Sequence, residues 1–77
     1  MIAEYVNAAM DHAQFETLED GTVYGEIPGL QGVWSEAATI TESREELEEV
    51  LKEWIDLRLA RDLPIPKVDG ISVKALI

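Results

Sequence analysis

The segment TITESREELEEVLKEWIDLRLARDLPIP, residues 39–66, constrains the fold of this 77-residue chain more than any other. Leu47, Val50, Leu51, Trp54, Ile55 and Leu59 recur at the spacing of a helix with one apolar face. Thr39 stands where an N-cap is needed, and Glu42 three residues later completes a capping box. Pro64 and Pro66 stop the helix, because proline forces extended backbone at and before itself. The expected helix therefore runs from about Ile40 to Arg61 and lays its apolar face on a sheet. Glu45, Glu46, Glu48, Glu49 and Glu53 cover much of the rest, and Glu48 with Lys52 makes an i,i+4 pair worth a few tenths of a kcal/mol.

The sheet has to come from the residues before that helix. From Gln14 the period changes: Phe15 and Thr17 alternate with Glu16, and Thr22, Tyr24 and Glu26 alternate with Val23 and Ile27. Asp20-Gly21 between these runs predicts a tight type I′ hairpin turn, whose two central positions need positive φ. Next comes YGEIPGLQGVW. Pro28 cannot continue a central ladder, Gly29 and Gly32 permit backbone that a Cβ would forbid, and Val33 and Trp34 resume the pleat. The stretch reads as strand, sharp turn, strand. Alternation places Tyr24 with Thr22 and Glu26 on the sheet face that the long helix leaves uncovered, while Trp34 and Trp54 read as core residues.

At the N-terminus Ile2, Tyr5, Val6, Ala9 and Met10 form the stripe of an amphipathic helix. A first strand beginning at Met1 competes, but Ala8 and Ala9 favour helix. At the other end ISVKALI alternates as a final strand, either parallel to an earlier one across the helix or exchanged with a second copy. The expectation is one α+β domain over residues 1–77: a small antiparallel β-sheet packed by one long helix, in the order αβββαβ.

Hydrophobic residues make up 47% of the chain, enough for a core. There is no cysteine, which excludes disulfides and thiolate metal sites. The N-terminus lacks a basic n-region, Glu4 and Asp11 break its apolar run, and no segment approaches the ~20 apolar residues of a membrane span. A cytoplasmic location is the default expectation. The formal net charge is −10, from sixteen acidic and six basic residues. Such a surface opposes binding to nucleic-acid phosphates. It suits solubility in general, or a basic protein partner drawn in by electrostatic steering.

The chemistry-bearing residues point to no reaction. His12, the single histidine, closes the first helix and has no second imidazole or thiolate to share a metal, so a capping or surface role is expected. The glutamates concentrate on one helix, where a solvated face explains them. No phosphate-cradling glycine loop or nucleophile elbow occurs. No catalytic residue, metal site or cofactor is expected, and the chain does not read as an enzyme.

Taken in order, the hairpin, GEIPGLQGVW, the capped helix TITESREELEEVLKEWIDLRL and then LPIP resemble the HicB-like antitoxin family, over about Ala13 to Pro66. The IPGLQG turn and the LPIP after the helix are the specific parts. The resemblance implies a partial ribonuclease H-like fold without the catalytic carboxylate set. It also implies a function: family members of the toxin-antitoxin kind bind and block HicA, a small basic ribonuclease that cleaves messenger RNA. Many relatives add a C-terminal DNA-binding segment; this chain ends at Ile77, so promoter binding is not expected to carry over. Ala37 and Asp62 stand where many relatives use glycine, and the N-terminal helix replaces an initial strand.

The resulting expectation is an antitoxin module of a type II toxin-antitoxin system that neutralises a basic, HicA-like mRNA-cleaving toxin by direct binding. The alternative is a stand-alone homo-oligomeric protein of the same fold with another partner. Contact residues are expected among Tyr24, Glu26, Glu45, Glu49 and Glu53. Small size, apolar content and an otherwise free final strand further predict a homodimer or higher homo-oligomer, with no nucleic acid or membrane bound directly.

Overall fold

Five elements follow one another in the computed structural model, which describes residues 2–73: α1 (Ile2–Asp11), β1 (Gln14–Thr17), β2 (Val23–Glu26), β3 (Trp34–Ala37) and α2 (Ile40–Ala60). The strands form an antiparallel meander in the order β1-β2-β3. The expected α+β class and the first five elements are all present. Of the expected final strand, residues 74–77 lie outside the described residues, and Ile71 makes only an isolated bridge to Val68.

The core joins both helices to the β2–β3 connection. Tyr5, Val6, Ala9 and Met10 of α1 meet Leu47, Leu51 and Ile55 of α2 and Ile27, Leu30 and Val33 from the loop. Leu47, Leu51 and Ile55 are fully buried, and each such side chain contributes about 1.5–3 kcal/mol relative to exposure. Where α2 crosses β3 the contact is polar. The buried Ser35 hydroxyl donates to the Ser43 carbonyl at 2.8 Å and lies 3.0 Å from the Ser43 hydroxyl. Two small residues thus let helix and strand approach with their polar atoms satisfied.

Both ends of α2 are capped. The Glu42 N–H donates to the Thr39 hydroxyl oxygen (3.1 Å), and that hydroxyl donates to the Glu42 carboxylate (3.0 Å). At the far end the Leu63 N–H reaches the Arg58 carbonyl and the Asp62 N–H reaches Leu59, the two bonds of a Schellman motif. Asp62 takes the left-handed conformation there, at φ 54°. The helix thus ends at Ala60, with Arg61 as its cap.

The two Asp-Gly pairs behave differently. At Asp20-Gly21 only the glycine has positive φ, at 89°. The Gly21 N–H donates to the Leu18 carbonyl and the Leu18 N–H to the Thr22 carbonyl. This is a three-residue turn with a glycine bulge, not the expected type I′ turn. The type I′ geometry falls instead on Asp69 (φ 51°) and Gly70 (φ 78°), with Val68 and Ile71 exchanging backbone hydrogen bonds of 3.1 and 2.8 Å. The extra residue in the first loop aligns Thr17 with Val23 across the hairpin.

The β2–β3 connection is a double turn. The Leu30 N–H donates to the Ile27 carbonyl and the Val33 N–H to the Leu30 carbonyl. Gly29 (φ 88°) and Gly32 (φ 91°) occupy the third position of each turn. Pro28 followed by a left-handed glycine is the pattern of a type II turn. Each turn returns one apolar side chain to the core, which a simple hairpin loop would not do.

Candidate functional site

Strand register decides what the second face of the sheet carries. Tyr24 lies directly between Glu16 on β1 and Glu36 on β3, and Glu26 lies between Gln14 and Trp34. Partners across a sheet share a face, so Glu16, Glu36, Tyr24, Glu26 and Trp34 all project away from α2. The Tyr24 and Trp34 rings stack diagonally across the strands, with centroids 6.1 Å apart and planes 23° from parallel. Trp34 is therefore not the core residue its size suggested: it is 53% exposed. The inward neighbour at this crossing is Ser35.

Hydrogen bonding ties the acids to the hairpin. The Thr22 hydroxyl lies 2.6 Å from an Asp20 carboxylate oxygen and 2.9 Å from one of Glu36, with its single proton available to either. The Thr22 N–H donates to Asp20 as well, at 3.0 Å. These bonds, the hydroxyl's first, hold the Asp20 carboxyl below its ordinary pKa. Partial desolvation raises the Tyr24 phenol, and the negative charge and long 3.5 Å hydrogen bond of Glu26 add to that shift. An open groove of about 310 Å³ runs from this stack to the double turn, between Trp34 and Pro28.

The five expected contact residues do not form one site. Tyr24 and Glu26 stand on the open sheet face, as alternation predicted. Glu45, Glu49 and Glu53 are exposed along α2 at four-residue steps, on the side turned from the buried Leu47, Leu51 and Ile55. Both layers of the molecule separate the two groups. Sequence reasoning omitted Trp34, Glu16 and Glu36 from the site. Their signal was parity with Tyr24, which becomes visible only once the register is known.

The punctuated segments IPGLQG and LPIP meet on the other side of the double turn. The Trp54 indole N–H donates to the Gln31 carbonyl (3.2 Å), and Arg58 donates to the Pro64 carbonyl (3.0 Å). The Arg58 guanidinium lies 4.5 Å from the Trp54 ring centroid. From α1, the Tyr5 hydroxyl donates to the Pro66 carbonyl (2.6 Å). Trp54 is only partly buried and packs against the core rather than inside it. His12 bonds Asp69 at 2.8 Å, on the surface. Among the described residues no group of three or more His, Asp or Glu side chains is arranged to hold a metal ion, and no helix is long and apolar enough to cross a membrane.

A long helix on one face of a three-stranded meander, a short helix packed beside it, and acids and stacked aromatics on the other face define a small α+β module. The chain belongs to the UPF0150-like family, whose model matches residues 4–66. It is similar to TTHA0281 from Thermus thermophilus, whose crystal structure matches with a TM-score of 0.89 at 30% sequence identity, over 95% of this chain and 91% of that one. No protein of curated function matches the chain.

Proposed function

We propose that this chain is a protein-binding module of the antitoxin kind, acting by occupation rather than catalysis, and that it neutralises a basic RNA-cleaving partner. The observation that carries the reading is the open sheet face, where Tyr24 and Trp34 stack among Glu16, Glu26 and Glu36. An enzyme that holds RNA presents a cationic surface, and a rigid acidic sheet can take the place of the phosphates on it. The HicB-like order of hairpin, IPGLQG, capped helix and LPIP supports the same reading. The fold alone would not, since one fold serves many functions.

The test adds the purified chain to a HicA-like ribonuclease. RNA cleavage should slow at low salt and recover as the screening length falls from ~10 Å at ~0.1 M to ~3 Å at ~1 M. Cleavage that proceeds equally fast with and without the chain at low salt refutes the reading for that partner.

A second reading is a homo-oligomer with a different partner. The exposed Trp34 favours it, as do outer edges of β1 and β3 that pair with no strand among the described residues. Among the described residues the Glu36 N–H on β3 has only a long 3.5 Å bond to the Glu46 carboxylate. Sedimentation at micromolar concentration tests this reading: a lone monomer sinks the oligomer.

A further inference from the structure

Trp54 shows within this chain how a tryptophan on this scaffold is used, since it carries the Arg58 guanidinium 4.5 Å from its ring centroid. Among the described residues Trp34 has no such partner. Tyr24 stacks on its ring, and the residue is still about half exposed to solvent. All six basic residues, Arg44, Lys52, Arg58, Arg61, Lys67 and Lys74, come after β3, so none of the three described strands supplies a cation. Glu26 stands directly across from Trp34, and Glu16 and Glu36 directly across from Tyr24.

We propose that Trp34, with Glu26 and Glu36, is the seat for an arginine side chain of the partner. The guanidinium lies on the exposed indole and donates to the flanking carboxylates, and its aliphatic stem runs along the groove beside Pro28. This inference rests on the reading of the open sheet face as the binding face, and it names the chemistry that face selects.

Arginine fits better than lysine for a physical reason. Its planar, weakly hydrated guanidinium stacks on an indole while its fork of N–H groups still reaches a carboxylate. A lysine ammonium is a compact, strongly hydrated point charge, so it gives up more hydration to sit on a ring. Two other occupants are disfavoured by charge. A single-stranded nucleic acid also stacks on aromatics, but its phosphates would face these three carboxylates. A second copy of the chain would bring the same acids against themselves across a two-fold axis.

The test titrates the ¹⁵N-labelled full chain with capped Gly-Arg-Gly and Gly-Lys-Gly peptides, reading the indole N–H signals of Trp34 and Trp54. The Trp34 signal should move saturably with the arginine peptide while the Trp54 signal stays. The lysine peptide should bind several-fold more weakly. Read on the backbone amide signals of β2 and β3, which every variant keeps, Trp34→Ala should weaken arginine binding about tenfold, as should the double variant Glu26→Gln/Glu36→Gln. Trp34→Phe keeps a ring and should fall between, and the wild-type signals are informative even if a variant folds poorly. The proposal is overturned if the Trp34 signal does not respond, or if the two peptides bind equally and Trp34→Ala is neutral. It is also overturned if an RNA oligonucleotide or a second copy of the chain moves that signal instead. In the ribonuclease assay, a Trp34→Ala chain that neutralises as well as wild type refutes the arginine seat and leaves the binding reading intact. Arginine binding at Trp34 without neutralisation does the reverse.

Discussion

A Cβ placed on Gly25 would lie 2.7 Å from the Cε1 atom of the Phe15 ring, its direct partner across the hairpin. The aromatic ring covers the glycine on the helix-facing side of the sheet, filling volume that the missing side chain leaves. Gly25→Ala should therefore destabilise the fold by about 1–3 kcal/mol, read as a lowered urea midpoint. Adding Phe15→Ala should cost less than the sum of the two single changes, because the clash is gone.

Asp62 holds a left-handed conformation at the end of α2, where an L-residue with a Cβ is strained by about 1–2 kcal/mol. Its negative charge also stands beside the negative end of the helix dipole. Asp62→Gly should raise stability by about 0.5–1 kcal/mol after glycine's greater unfolded-state entropy is subtracted. A melting temperature unchanged or lowered would contradict that C-cap geometry.

The elements that sequence made legible are those whose signal is local. The α1 stripe needs only Tyr5, Val6, Ala9 and Met10 at helical spacing, and α2 needs its Thr39 cap and its prolines. The open face was half legible: Tyr24 and Glu26 follow from alternation within one strand. Trp34 was misplaced because a long double turn separates it from Glu26, and local alternation does not carry parity across such a loop. Size then argued for burial. The Asp-Gly error has a similar cause. The dipeptide permits a type I′ turn at both sites, and the residues flanking it decide which site adopts one.

The two tryptophans should respond very differently to truncation. Trp54→Ala removes a partly buried ring, its bond to Gln31 and its stack with Arg58, and should cost about 2–3 kcal/mol, below the ~3–5 of a fully buried tryptophan. Trp34→Ala should stay within about 1 kcal/mol of wild type. Leu51→Ala, at a fully buried position, should cost about 2–5 kcal/mol. Chemical denaturation of the three variants checks the ranking.

Burial raises the Tyr5 phenol above its ordinary pKa, and its hydroxyl donates to Pro66. A raised folded-state pKa contributes stability that is fully present below the unfolded value of ~10 and is lost as pH rises through the folded one. Stability should therefore fall on the alkaline side of ~10. Tyr5→Phe should cost about 1 kcal/mol at neutral pH through the lost hydrogen bond and blunt that alkaline fall, leaving the part owed to Tyr24. Identical alkaline melts of the two proteins would show that Tyr5 is not the group responsible.

Asp20 works in the opposite direction. Its folded pKa is depressed, chiefly by the Thr22 hydroxyl, so its contribution is present above the unfolded value of ~3.9 and disappears as pH falls through the lower folded one. A carboxyl titration by NMR should place its midpoint below ~3.9 in the wild type and nearer to it in Thr22→Val.

The double turn works as a counting device. Ile27, Leu30 and Val33 enter the core at three-residue intervals, and the same count delivers Ser35 to α2 and Trp34 to solvent. Surface loops are ordinarily where related chains gain and lose residues. Here one inserted residue would invert β3, driving an indole against Ser43 and turning a buried hydroxyl outward. The length of IPGLQG is thus under tighter constraint than the identity of most residues in it, and chains that keep the open face should keep that spacing even where their sequences have drifted apart.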